Sequence, residues 1–256
     1  MEIRVETPRP HIALVTIANE PRRNAMNRAM LADLAALWDR LDADAGCRCV
    51  VLTGAGEKAF VAGADIKYMS ALEPEQARSW GELGHEAANA LETMPKPAIA
   101  AVNGDCVGGG LELLLSTDIR AAVSEARFGL PEVRWSIYPF GGATVKLTHQ
   151  IGHVHAMDLL LTGRLVDAGF AVRIGLVNAI VERATLMDWA LDTAAMIAAN
   201  SPSAVQAVKT QISASIAEYA KSREASEQEL GDRVRAGPHF AEGIAAFREK
   251  RKPDYR

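Results

Sequence analysis

Aromatic residues make up only 5% of the 256-residue sequence, cysteines number three, and no apolar run approaches the ~18 residues of a membrane span. The cysteines, Cys47, Cys49 and Cys106, form no C-x-x-C pair and no zinc-ribbon spacing, which suggests free thiols in a reducing compartment. Basic charge is not in excess: 28 Lys+Arg stand against 32 Asp+Glu, a net charge of −4. A chain so balanced has no broad footprint for nucleic acid or an anionic membrane, although a few local cations can still hold a polyanion. Linkers rich in Gly, Ser and Pro, repeats of about 20–50 residues, a G-x-S-x-G elbow and an H-E-x-x-H zinc motif are all missing. The opening MEIRVETPRPHIALVTI alternates apolar and polar residues like a strand, not like the apolar core of a signal peptide. The expected setting is the cytoplasm.

What is present is an ordinary globular composition, 49% hydrophobic and 23% charged, which excludes a disordered chain. Ile3/Val5 and Ile12/Leu14/Val15/Ile17 read as two strands joined by a turn bearing Pro10. Asn27 suits the N-cap of a helix through MLADLAALWDRLDADAG, ending at Gly46. CVVLTG (49–54) and PAIAAVNG (97–104) are short buried strands, with a long amphipathic pattern from Pro74 to Met94 between them. GGGLELLLSTDIRAAV (108–123) reads as a glycine turn, a buried helix and a strand. Beyond about residue 143 helical patterns dominate: 143–152, 153–163, 185–200, 202–220 and 239–251. The order is α/β first and all-α afterwards, with no linker between the two parts.

Glu112 is the strongest local anomaly. Its segment GGGLELLLS is apolar around nearly the whole helix, with Leu111, Leu113, Leu114 and Leu115 about it, so the carboxylate must be paired, protonated or functional. The glycines before it permit close approach of a ligand to backbone, and free N–H groups at a helix start favour developing negative charge. The plainer alternative is a structural Glu satisfying its helix terminus. Glu132 follows Pro131 in RFGLPEVRW, with Phe128, Leu130, Val133 and Trp135 nearby; spacing alone does not place it opposite Glu112. VAGADIK (61–67) is a second junction, where Ala62, Gly63 and Ala64 expose amides and Asp65 can cap a short helix reaching Met69.

Three other patterns carry less. GAGEKA (54–59) follows a strand in the form of a dinucleotide fingerprint, with Glu75 downstream, but Phe60-Val61-Ala62-Gly63 is a poor start for the required helix. His149, His153 and His155 suggest a metal cluster, yet Gly152 interrupts the helix needed to align them. GGATVKLT (141–148) lacks the G-K-[ST] ending of a phosphate loop.

Taken together, RRNAMN (22–27), VVLTGAGEKAFVAGADIKYM (50–69), PAIAAVNGDCVGGGLELLLSTDIRAA (97–122), FGLPEV (128–133), LLLTGRLVDAGFAVRIGLVNAIV (159–181), ANSP (199–202) and EGIAAFREKRKPDY (242–255) resemble the crotonase superfamily, the enoyl-CoA hydratase/isomerase group, over essentially the full length. The resemblance implies an α/β fold: a ββα-spiral core over about 1–195 and a C-terminal helical region, 196–256, that builds a homotrimer, commonly paired into a hexamer. It also implies an acyl-CoA thioester as substrate, with CoA belonging to the substrate, no metal and no separate cofactor. By motif, the oxyanion N–H groups belong to Ala64 and Gly109, and the acid–base pair is Glu112, activating water, and Glu132, delivering a proton to C2. Ala62, Gly63, Ala64, Asp65, Ile66, Lys67 and Gly109 fall in the substrate-binding stretches, and Arg22, Arg23, Lys250 and Lys252 are further cations for CoA. Both glutamates favour hydration of a trans-2-enoyl-CoA in β-oxidation-type chemistry over members retaining one or neither.

Some positions depart from the commoner pattern. Trp135, Tyr138 and Phe140 stand where smaller residues are frequent, His149 where Arg is common, and Asp105-Cys106-Val107 is unusual before the glycines. A reshaped acyl pocket keeps a Δ3,Δ2-enoyl-CoA isomerase, or a lyase or hydratase for a bulkier acyl group, as the alternative. An NAD-dependent oxidoreductase using GAGEKA and a non-catalytic acyl-CoA-binding protein are the readings from other classes.

Overall fold

The computed structural model describes residues 2–64, 68 and 72–256. Strands β1 (Glu2–Arg9) and β2 (Ile12–Ala18) form an antiparallel hairpin, and β2 then pairs in parallel with β3 (Cys49–Gly54) across helix α1 (Arg28–Ala43). The Asn27 side chain accepts the Met30 N–H, as its cap residue type suggests, and the helix stops at Ala43, three residues short of Gly46.

From β3 onward each turn of chain contributes one strand to each of two sheets. β3, β5 (Ala98–Val102), β7 (Ile119–Ala122) and β10 (Ala179–Ile180) extend the first sheet in the order β1-β2-β3-β5-β7-β10. β4 (Ala59–Val61), β6 (Asp105–Val107), β8 (Arg127–Gly129) and β9 (Val166–Asp167) build the second in step with it. The two orders running in parallel define a ββα spiral. Every residue of β3 and β5 is buried, as parallel strands covered on both faces require. Helix α2 (Pro74–Thr93) packs on α1, and α3 (Gly109–Leu114) starts where β6 ends. All three cysteines are free and buried in this core, and burial pushes their thiols up.

Helices α4 (Ala143–Ile151), α5 (His153–Thr162), α6 (Ala168–Arg173), α7 (Leu186–Ala198), α8 (Pro202–Ala236) and α9 (His239–Glu249) complete the chain. The expectation of an all-α second part needs correction. β9 and β10 lie within it, two residues each, too short to produce a period-2 pattern. α8 also runs 35 residues, sixteen beyond Ala220, because its second half is polar on most sides and has no apolar stripe to announce it.

Candidate active site

Three neighbouring parallel strands of the second sheet end side by side. β4 gives way to Ala62–Ala64, β6 to Gly108 and Gly109, and β8 to Pro131 and Glu132. Adjacent strands lie roughly 4.8 Å apart, so segments remote in sequence converge at one sheet edge. Backbone bonds fix them there. The Ala62 N–H donates to Arg23 O (3.0 Å), the Met26 N–H to Gly63 O (2.9 Å) and the Gly108 N–H to Gly129 O (2.9 Å). Asn24, fully buried, donates to the Ala59 and Phe60 carbonyls and ties the 22–27 loop to β4.

Gly108 adopts φ 58° and ψ −129°, which a side chain would resist, and this turn starts α3. Added methyl groups serve as yardsticks for the crowding. One at Gly108 would sit 2.7 Å from Glu132 Oε1; one at Gly109 would sit 3.5 Å from Glu112 Oε2 and 3.6 Å from the Ala64 nitrogen. The two carboxyl groups thus flank consecutive glycines. Among the described residues neither the Ala64 nor the Gly109 N–H has a backbone acceptor, so both donors stand open beside the carboxylates.

Glu112 Oε1 accepts the Phe140 N–H at 2.9 Å. Burial holds its carboxyl well above the usual range, the charge of Glu132 raises it further, and the Phe140 N–H pulls it partly back. Glu132 lies in a tight 3₁₀ turn, Pro131–Trp135, with Oε2 buried and unpartnered. Burial pushes it up to about 7. A pair so arranged can hold one proton near neutral pH and exchange it with a bound molecule.

The cavity in front of them has a volume of about 270 Å³. The glycine turns and Ala62–Ala64 form one wall. Trp80 of α2, Trp135 of the 3₁₀ turn, Tyr138 and Phe140 of the segment after it, and Phe240 and Phe247 of α9 supply the cavity's apolar lining. The aromatics at 135, 138 and 140 therefore reach the site, whereas Val133 is turned away and 38% exposed. Trp80, Phe240 and Phe247 carried no sequence signal, because single aromatics in amphipathic helices look like core or surface residues. Neither did Glu227, Lys146 and His85, buried polar groups behind Phe140, whose partners lie on other elements.

Among the sequence candidates, Ala62, Gly63, Ala64, Gly109, Glu112 and Glu132 meet in this cavity. Asp65, Ile66 and Lys67, and the helix expected to reach Met69, lie outside the described residues. Arg22, Arg23, Lys250 and Lys252 do not line the cavity in a single chain; Arg23 approaches Asp105 at 3.5 Å, where Arg127 already makes two bonds of 3.0 and 2.7 Å. That pairing accounts for the unusual Asp105. After Gly54 the chain turns into strand β4, not a helix, so the dinucleotide fingerprint lacks its phosphate-facing terminus. His149, His153 and His155 are all exposed, and no group of three or more potential ligands gathers among the described residues.

Known proteins resemble the chain over almost its whole length. The chain is 38% identical to enoyl-CoA hydratase EchA19 of Mycobacterium tuberculosis, across 96% of this chain and 94% of that one. It is 39% identical to a short-chain-enoyl-CoA hydratase of Clostridium acetobutylicum, across 94% and 92%. The crystal structure of carnitinyl-CoA hydratase from Mycobacterium avium superposes with a TM-score of 0.87 at 33% identity, covering 99% and 98% of the two chains. The enoyl-CoA hydratase/isomerase family model matches residues 8–256, and the chain belongs to that family.

Proposed function

We propose that the protein is an enoyl-CoA hydratase, adding water reversibly to a trans-2-enoyl-CoA thioester to give the 3-hydroxyacyl-CoA. The observation that carries this reading is the convergence of two raised carboxyls, Glu112 and Glu132, with two open N–H groups, Ala64 and Gly109, in one apolar cavity. Attack of water at C3 moves the electron pair of the double bond toward the thioester oxygen. The N–H groups stabilise that enolate, each by about 2.7–4 kcal/mol where comparable donors have been removed. Glu112, ionised, takes the proton of the attacking water; Glu132, protonated, gives its proton to C2. The net result is a hydroxyl added at C3 and a hydrogen at C2, one water in all, with the carboxyl pair left carrying one proton. Neither a metal nor a redox group is required by this scheme.

The aromatic wall favours a second reading on the same scaffold: an isomerase, or a lyase or hydratase acting on a bulkier acyl group. Mass analysis of products from a panel of acyl-CoA thioesters separates them. Hydration adds the mass of one water, isomerisation adds nothing, and cleavage yields two fragments. We further read residues 196–256 as an assembly region for a trimer or paired trimers. The exposed Val208, Ile212 and Tyr219 along α8 support this, and light scattering tests it. The reading places the enzyme in the cytoplasm; none of the described helices is long and apolar enough to cross a membrane.

A further inference from the structure

Behind the cavity wall lies a buried polar cluster that the hydration chemistry does not use. Glu227, on α8, is 2% exposed, and its oxygens are committed to the turn after Phe140 and to the first turn of α4. Oε2 accepts the Gly142 N–H at 3.1 Å and Oε1 accepts the Thr144 hydroxyl at 2.8 Å. One helical turn further on, Gly231 leaves the space in which the Phe140 ring sits; a methyl group there would come within 2.2 Å of the ring. The same ring meets His85 of α2 edge-on at 6.4 Å and Tyr138 at 5.8 Å. Residues 136–140 belong to no helix or strand, Gly141 and Gly142 follow with positive φ, and the segment's own backbone bonds lie at its two ends, Ile137 N–H to Glu132 O at 3.0 Å and Ala143 N–H to Phe140 O at 3.1 Å. Yet its Phe140 N–H is the group that donates to Glu112.

We propose that Glu227 is a positioning residue for Glu112: it clamps the 140–144 turn from the C-terminal helix, so that the Phe140 N–H stays aimed at the Glu112 carboxylate. The inference rests on the reading of Glu112 as the group that activates water. Burying a carboxylate is costly unless it is fully hydrogen-bonded. Here one oxygen holds the turn after Phe140 and the other the first turn of α4, and that turn meets Glu112 through the Phe140 N–H and through Gly141 packed against the Glu112 side chain. The charged and titratable groups acting on Glu112 are Glu132 from the turn after β8, Lys146 from α4 and Glu227 from α8. Those around Glu227 are His85 of α2, whose Nε2 lies 3.6 Å away, Tyr138 of the segment before Phe140, Lys146 and Glu224. Lys146 is itself paired with Glu92 at 2.8 Å.

Glu227 acts on Glu112 in two opposing ways, which makes the idea testable. Its negative charge opposes ionisation of Glu112, while its clamp delivers the N–H that favours it. Glu227→Ala removes both; Glu227→Gln removes the charge but keeps the volume and an acceptor. The experiment measures kcat, KM and the pH profile of kcat/KM for crotonyl-CoA hydration with wild type, both variants, Thr144→Val and Glu112→Gln, with thermal melts alongside. Glu227→Ala is expected to lower kcat about 10–100-fold with KM within about threefold, and to move the acidic limb to higher pH. Glu227→Gln is expected to recover most of the rate without that upward shift. Thr144→Val, which removes the hydroxyl's bonds to Glu227 and Tyr138 and leaves the carboxylate, is expected to shift the limb in the same direction as Glu227→Ala but less, and keeps the test open should Glu227→Ala fold poorly. An unmoved pH profile in Glu227→Ala and Thr144→Val, or equal losses in Glu227→Ala and Glu227→Gln that follow their melting temperatures, overturns the clamp. A nearly fully active Glu112→Gln overturns the underlying reading and the clamp with it; an inactive Glu112→Gln beside a wild-type-like Glu227→Ala overturns the clamp alone.

Discussion

The two walls of the cavity are built on different principles. The wall bearing Ala64, Gly109, Glu112 and Glu132 comes from residues directly after three paired strands, held by backbone hydrogen bonds to one another. The other, apolar wall comes from α2, the segment after Glu132, α8 and α9, held by side chains such as Glu227 and by ring contacts such as Trp135 on Phe247 at 5.2 Å. On the proposed function, reaction geometry, which must be kept within tenths of an ångström, falls to the strand-anchored wall, and the acyl group, which tolerates looser limits, falls to the side-chain wall. Under that reading the chemistry and the acyl fit rest on separately built walls, joined by the Phe140 N–H bond to Glu112.

Breaking the strand-anchored wall is expected to have the largest effect. Gly109→Pro deletes one open N–H at the first helical position, where proline is tolerated. Turnover of an enoyl-CoA thioester should fall about 100–1,000-fold, with far-ultraviolet circular dichroism unchanged. Retained activity would show that the Gly109 N–H takes no part. On the other wall the effect is smaller and of another kind. Trp135→Ala opens the cavity beside Phe247, so kcat/KM should shift about tenfold toward longer or bulkier acyl groups with little loss for those already accepted. An unchanged preference across a thioester panel would remove Trp135 from substrate selection.

The next effect concerns stability. The Glu132 carboxyl lies at about 7 in the folded chain against 4.5 ordinarily, so between these values the folded state binds more protons and stability falls as pH rises. Glu132→Gln removes that liability. Its unfolding free energy should exceed wild type by about 1–3 kcal/mol at pH 8 and match it at pH 4. A variant less stable than wild type at pH 8 would mean that Glu132 is ionised without cost. The smallest effect is expected at His149, His153 and His155, all exposed. Replacing the three with alanine should leave turnover within about twofold and insensitive to chelators.

Much of the strand-anchored wall was legible because its signals are local. The Asn27 cap, the buried runs 49–54 and 98–102, and a glutamate in a fully apolar helix after three glycines each carry their reason within a few residues. Glu132 was different: its loop looks solvated by itself, and only the resemblance placed it opposite Glu112. The side-chain wall was mostly illegible. Phe240 and Phe247 read as one face of an amphipathic helix, and the partners of Glu227 lie 83 and 85 residues away at Thr144 and Gly142, a separation that no period or spacing reports. The two-residue strands β9 and β10 fell below any pattern length.

The central claim is that Glu112 and Glu132 work as a pair. The most direct test follows the loss of enoyl-thioester absorbance with wild type, Glu112→Gln and Glu132→Gln at neutral pH. Each single variant should lose about 100–10,000-fold in kcat, and the double variant should lose little more than the worse single one. Near wild-type turnover in both single variants would contradict the two-carboxylate account outright.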